Sequence, residues 1–254
     1  MYEYETLLVE AHDGVVLCTF NRPEVRNALN LQMVQDIRHL LTELSADPQL
    51  KVLIFAGSEK AFISGADIAE LRDRKREAAF KRINNSLFRE IELFPAPTIA
   101  AVRGWALGGG CELSMACDLR VAGEGARFGQ PEVGLGIIPG AGGCYRLTKL
   151  VGLGMARELI YTGRIIKSEL AREIGLVNKV VPDAAVLDAA RDLGTEIARN
   201  SNLAVRMAKT VMNSVGEMST DVAMALEATS QAVLFDDQEK WDRMNAFLEK
   251  RKKK

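Results

Sequence analysis

Apolar residues change their spacing several times along this chain, and each change predicts an element. TLLVEAHDGVVLCTFNRP holds two β-rich stretches around Asp13-Gly14, a pair that tolerates positive φ and so predicts a hairpin closed by Pro23. NLQMVQDIRHLLTEL sets Leu31, Val34, Ile37, Leu41 and Leu44 at helical intervals, with Asn30 as N-cap and Asp47-Pro48 as the stop. KVLIFAG (51–57) and TIAAVRGWA (98–106) are continuous apolar runs, which suits strands buried on both faces. The charged stretch between them repeats Phe80, Ile83, Leu87 and Ile91 at helical spacing and predicts one long helix from about Ile68 to Phe94.

Further on, DLRVAG predicts another strand, and ARFGQPEVGLGIIPGAGG is rich enough in glycine and proline to be mostly loop. Helices resume near Gly143. SELAREIG has Ser168 as N-cap and Gly175 as stop, LVNKVVP is a last strand, and the pattern from Asp183 onward is helical. The alternation predicts an α/β core with parallel pairing over 1–199 and a helical C-terminal region over 200–254. The stripe Met224, Leu226, Phe235, Trp241, Met244 and Phe247 in that region predicts core and subunit contact.

Composition narrows the classes. With 254 residues, 48% of them hydrophobic, the chain can bury a large core, and a formal charge of −1 argues against a general nucleic-acid binder. The EKRKKK tail and the RDRKR run read as solvated faces, with RNA binding as the lesser, non-enzymatic alternative. Four cysteines without a CxxC pair predict reduced thiols, no metal site and a cytoplasmic protein. The N-terminal stretch lacks a leader pattern, and no apolar run approaches the roughly 20 residues that span a bilayer. Only His12 and His39 are present, in a turn and on a polar helix face, which argues against a Ser-His-Asp triad. Neither a GxxxxGK[ST] loop nor a GxGxxG after a strand supports a nucleotide site.

The chemistry concentrates in ALGGGCELSMACD. A helix starting near Gly109 presents unpaired N–H groups, and Gly108, Gly109 and Gly110 let a carbonyl oxygen come close to them. KAFISGADI follows a strand in the same way and offers a second N–H, from Ser64. Glu112 in the first helical turn and Glu132 in FGQPEVGLG add two carboxylates, which suits proton transfer beside a polarised carbonyl. The same residues also suit an ordinary helix start, a glutamate favoured by the helix dipole and a solvent-facing loop carboxylate.

FNRPEVRNALN, KAFISGADI, the stretch from ALGGGCELSMACD to GIIPGAGG, REIGLVNKVVP and AFLEKRK together resemble the enoyl-CoA hydratase, or crotonase, family through nearly the whole chain. The resemblance implies a spiral of ββα units with a helical C-terminal region that builds a homotrimer or a homohexamer. It implies reversible addition of water to a trans-2-enoyl-CoA, with Glu112 and Glu132 as the acid/base pair. The amides of Ser64 and Gly109 match the oxyanion-hole donors, and Gly140 matches a glycine near the bound water. Arg26, Ala28, Ser64, Gly65, Ala66, Asp67 and Ile68 match the coenzyme A contacts, coenzyme A being part of the substrate; no metal or other cofactor is expected. Val25 stands where the family often has lysine, and Ser64 where it often has alanine. Double-bond isomerases of the family typically keep one of the two carboxylates, so the presence of both favours hydration, with an isomerase or another acyl-CoA lyase as the alternative. The basic tail is a candidate for reaching coenzyme A phosphates, across a subunit interface.

Overall fold

The computed structural model describes residues 3–252, so Lys253 and Lys254 of the basic tail lie outside the described residues. Strands β1 (Leu7–His12) and β2 (Val15–Phe20) form the expected hairpin, with Asp13 at φ 50° and Gly14 at φ 81° in its two-residue loop. Positive φ at both positions matches the twist of the flanking strands. Helix α1 (Leu31–Ser45) starts where Asn30 Oδ1 accepts from the Met33 N–H at 3.0 Å. Its buried stripe centres on Met33, Ile37, Leu40 and Leu44, and Leu31 is exposed. At helical pitch Leu31 lies about 150° round the helix from that centre, so it faces away from the core.

Three β-β-helix turns follow, each laying its first strand into a six-stranded sheet and its second into a four-stranded one. The pairs are β3 (Val52–Ala56) with β4 (Ala61–Ile63), β5 (Thr98–Val102) with β6 (Trp105–Leu107), and β7 (Leu119–Gly123) with β8 (Arg127–Gly129). Helices α2 (Ile68–Arg72), α3 (Arg76–Phe80) and α4 (Ile83–Glu92) close the first turn, and α5 (Gly109–Ala116) closes the second. A short 3-10 segment (Pro131–Leu135), α6 (Gly143–Val151) and α7 (Leu153–Thr162) close the third. The chain then adds β9 (Ile166–Lys167), α8 (Ser168–Glu173) and β10 (Lys179–Val181). Helices α9 (Val186–Ala198), α10 (Asn202–Ser214), α11 (Thr220–Phe235) and α12 (Gln238–Lys252) complete it. The large sheet runs β1-β2-β3-β5-β7-β10, parallel from β2 onward; the small one runs β4-β6-β8-β9, with only β9 antiparallel.

Alternate residues of β3 serve two cores. Leu53 and Phe55 join Ile37, Leu87, Phe88 and Leu113 on one side, while Val52, Ile54 and Ala56 pack with Val186, Ala189 and Ala190 of α9 on the other. A strand covered on both faces needs no polar alternation, which is why KVLIFAG is a continuous apolar run.

Three expectations are corrected. TIAAVRGWA is two strands, because the chain turns at Gly104 (φ 59°) to cross from the large sheet to the small one; a Cβ there would lie 2.0 Å from the Lys60 carbonyl oxygen. The single helix expected from Ile68 to Phe94 is broken into three, with Arg82 at φ 50°; Leu87 and Ile91 are buried, but Phe80 is 76% exposed. RDRKREAAFKR carries too few apolar side chains to bury a continuous face, so packing does not hold it straight. Ser168 is the first helical residue rather than the N-cap, and its hydroxyl donates to the Glu124 carbonyl at 2.9 Å. On α11 and α12, Met224, Phe235, Trp241, Met244 and Phe247 are exposed and lie outside the core of the single chain. Among the described residues no helix is long and apolar enough to cross a membrane.

Candidate active site

Helix α5 begins directly after β6, and its three glycines have separate reasons. Gly108 sits at φ 48°, with its N–H donated to the Gly129 carbonyl at 2.9 Å, and a Cβ on it would meet Glu132 Oε1 at 2.8 Å. A Cβ on Gly110 would lie 2.0 Å from the Ile63 carbonyl oxygen, so α5 packs against the backbone of β4. At Gly109 a Cβ would be 3.6 Å from the Ala66 nitrogen, which brings the helix start beside the Gly65-Ala66 turn. Among the described residues neither the Gly109 nor the Ala66 N–H has a hydrogen-bond acceptor, and both residues line a cavity of about 750 Å³.

Ser64, the expected second donor, does not have a free amide: its N–H donates to the Arg26 carbonyl at 3.1 Å. The neighbouring bonds from Leu29 N–H to the Gly65 carbonyl (2.9 Å) and from Asp67 N–H to the Leu29 carbonyl (3.0 Å) lock this strand-like crossing, leaving Ala66 as the residue whose N–H is unpaired. Ala28, Ser64, Gly65, Ala66 and Ile68 line the cavity. Asp67 does not; its Oδ1 accepts from the Ala69 N–H at 3.1 Å to cap α2, and its Oδ2 lies 3.6 Å from Arg22. Arg26 is exposed at φ 53° and also lies outside the lining.

Glu112 and Glu132 both line the cavity and are buried, at 3% and 9% exposure. Glu112 Oε1 accepts from the Ala141 and Gly143 N–H groups, each at 2.8 Å. Burial raises its pKa above the usual carboxylate range, and the Gly143 and Ala141 amides and the Arg146 charge oppose the rise. Glu132 sits in the 3-10 segment after Pro131, and turning the Gln130 side-chain amide over lets its nitrogen donate to both carboxylate oxygens at 3.1 Å. Burial pushes Glu132 up to about 7; its own backbone N–H opposes this and the Glu112 charge adds to it. Gly140 also lines the cavity, and its carbonyl accepts from Asn85 Nδ2 at 3.2 Å.

Two unpaired amides open on one cavity with two buried carboxylates, both raised by burial above the usual carboxylate range. That arrangement can hold developing negative charge on an oxygen while protons move beside it. Among the described residues no three His, Cys, Asp or Glu side chains gather as a metal-ligand set. Gln130, Asn85 and Arg146 carry no motif that marks them, since each reaches the site from a different element. The free amide of Ala66 was hidden for a related reason: which N–H of SGAD is left unpaired depends on the crossing with residues 26–29.

The family model for enoyl-CoA hydratase/isomerase matches residues 10–254. The chain is 42% identical to a short-chain-enoyl-CoA hydratase of Clostridium acetobutylicum over 98% of its length and 97% of that protein's. It is 43% identical to a crotonyl-CoA hydratase of Syntrophomonas wolfei over 98% and 97% of the two chains. A solved enoyl-CoA hydratase from Bacillus anthracis superposes with a TM-score of 0.93 at 36% identity, covering 97% of each chain.

Proposed function

The chain belongs to the enoyl-CoA hydratase/isomerase family, as an enoyl-CoA hydratase of crotonase fold, and on that premise we infer that Glu112 and Glu132 add water to the double bond of a short trans-2-enoyl-CoA. The observation that carries this reading is the pairing of both buried carboxylates with the unpaired Gly109 and Ala66 amides on one cavity. The thioester oxygen takes those two N–H groups and becomes enolate-like as the β-carbon is attacked. Losing one preorganised donor to such a charge typically costs about 3 to 4 kcal/mol. Glu112, whose anion receives two N–H donors, takes a proton from the water as its oxygen bonds to the β-carbon. Glu132, protonated up to about pH 7, gives its proton to the α-carbon. The proton on Glu112 returns to Glu132 before the next turnover, so the enzyme is unchanged and one water has been added.

Double-bond migration needs one carboxylate to remove and return a proton. The second buried carboxylate, oriented by its own donors, therefore favours hydration over the isomerase alternative. Coenzyme A enters as part of the substrate, along the two loops holding Arg26, Ala28, Ser64, Gly65, Ala66, Asp67 and Ile68, with Gly140 beside the water; no metal or separate cofactor takes part. The protein works as a homotrimer or homohexamer in the cytoplasm, in fatty-acid β-oxidation or a related acyl-CoA pathway. Exposed apolar side chains on α11 and α12 support the assembly, and four free cysteines support the compartment.

Glu112→Gln and Glu132→Gln each lower crotonyl-CoA hydration by about a thousandfold or more, with KM changed little. Near-normal hydration by both variants would remove the mechanism. A panel of enoyl-CoA thioesters from crotonyl to long-chain tests the acyl preference, and faster turnover of the long chains would overturn the short-chain reading.

A further inference from the structure

The turn that holds Glu112 is Pro139-Gly140-Ala141-Gly142-Gly143, and three of its five residues are glycine. Such a backbone has little stiffness of its own. Yet its Ala141 and Gly143 amides converge on one carboxylate oxygen at 2.8 Å each. Something outside the turn must set the orientation of those peptide units.

We propose that Asn85 and Arg146 are positioning residues that clamp this turn from outside, so that its N–H groups meet Glu112. The proposal rests on the acid/base role given to Glu112 above. In a trans peptide the C=O and the following N–H point in opposite directions, and no cis bond is present among the described residues. The Gly140 carbonyl and the Ala141 N–H belong to one such unit. Asn85 Nδ2 on α4 holds the carbonyl at 3.2 Å, and the N–H then faces Glu112. The next carbonyl, of Ala141, accepts from Arg146 Nη1 at 2.9 Å, and the Gly142 carbonyl, whose peptide unit carries the Gly143 N–H, accepts from the Arg146 backbone N–H at 2.9 Å.

Arg146 is itself anchored. Its Nη2 donates to Glu92 Oε2 at 2.8 Å; Glu92 also pairs with Arg89 at 3.0 Å, and its carbonyl accepts from Asn213 Nδ2 at 2.8 Å. Both halves of the clamp therefore lead back to α4. Arg146 is 3% exposed, and its Nε has no hydrogen-bond partner among the described residues. Burying an incompletely satisfied cation costs stability, so its own bonding does not account for its position. Gly142, at φ 111°, completes the fit: a Cβ there would lie 2.0 Å from Arg146 Nη1. Lysine cannot replace the fork, because one ammonium does not bridge two acceptors in a fixed plane.

The other titratable groups that act on or with Glu112 are Glu132 on the 3-10 segment, Cys111 on α5, and Cys144 and Tyr145 on α6. Asn85→Ala and Arg146→Lys replace none of these residues, and Arg146→Lys retains the positive charge that acts on Tyr145 and Glu112.

The test measures kcat, KM, thermal stability and pH profile for Asn85→Ala and Arg146→Lys with crotonyl-CoA, together with a ¹³C-carboxylate titration of Glu112. Asn85→Ala lowers kcat about fivefold to tenfold, with KM and melting temperature near wild type; Arg146→Lys lowers it about thirtyfold or more. In both, loosened donors leave the Glu112 anion less stabilised, so its titration and the acid limb of kcat move to higher pH. Folded variants with wild-type kcat and unmoved Glu112 titration overturn the clamp, and if Arg146→Lys fails to fold, Asn85→Ala decides alone. A moved titration in variants of a protein whose Glu112→Gln form remains active would leave the clamp standing and overturn the role of Glu112.

Discussion

Glu112 and Glu132 are both buried glutamates on one cavity, but their surroundings treat the charged form differently. Burial raises both pKa values, but at Glu112 two amides and a guanidinium oppose the rise, whereas Glu132 is pushed up to about 7 by burial with the charge of Glu112 adding to it. The consequence for stability has a definite sign. Between its ordinary value of 4.5 and about 7, folded Glu132 keeps a proton that the unfolded chain releases. Stability contributed by this residue therefore falls as pH rises through that window, and the loss is complete above about 7. Glu132→Gln removes the titration. Relative to wild type the variant gains about 2 kcal/mol at pH 8 and nearly nothing at pH 4, read from urea unfolding at the two pH values. An equal effect at both would show that Glu132 does not titrate in that window.

At the scale of elements, α5 performs two tasks through adjacent glycines, and the two can be separated. Gly110 admits the Ile63 carbonyl where a Cβ would lie 2.0 Å away, so Gly110→Ala forces the helix off β4. Overpacking against backbone of this kind costs about 3 kcal/mol. A Cβ on Gly109 meets the Ala66 nitrogen at 3.6 Å and the Gly65 carbonyl carbon at 3.9 Å, both ordinary contacts. Gly109→Ala therefore keeps its melting temperature within a few degrees, but the methyl stands between the two free amides. Hydration of crotonyl-CoA falls at least about tenfold in that variant, and by more if one donor is lost outright. Similar losses of stability from both substitutions would contradict the division.

Across the whole molecule, the helical C-terminal region begins firmly attached and ends exposed. Lys209 of α10 donates to Asp118 at 2.7 Å and to the Ala96 carbonyl at 3.0 Å, while Asp118 accepts from the Thr98 N–H at 2.7 Å beside the large sheet. Beyond that anchor, α12 buries no residue, and Trp241, Met244 and Phe247 are each more than half exposed. These exposed apolar side chains are the surface on which the proposed assembly would form. Light scattering is expected to give three or six times the 27.9 kDa chain mass. Trp241→Ser with Phe247→Ser is expected to shift the mass to that of one chain, and a wild-type monomer would refute the assembly.

Much of the fold was legible because local patterns answer local questions. The Asp13-Gly14 turn, the Asn30 cap and the doubly buried run of β3 each follow from residues within a few positions of one another. The resemblance likewise singled out Glu112, Glu132 and Gly109, which the fold gathers on one cavity. What the sequence by itself determined was therefore the type of most elements and the residues worth watching. Tertiary structure alone decided that Ala66 rather than Ser64 has the unpaired amide, that the charged stretch after Ile68 breaks into three helices, and that α4 reaches the turn behind Glu112. Each of these depends on how separate β-β-helix turns pack. Hydrogen bonds between residues 26 and 64, 85 and 140, or 112 and 141 have no local pattern, because their partners are set by packing geometry rather than by neighbours in the chain.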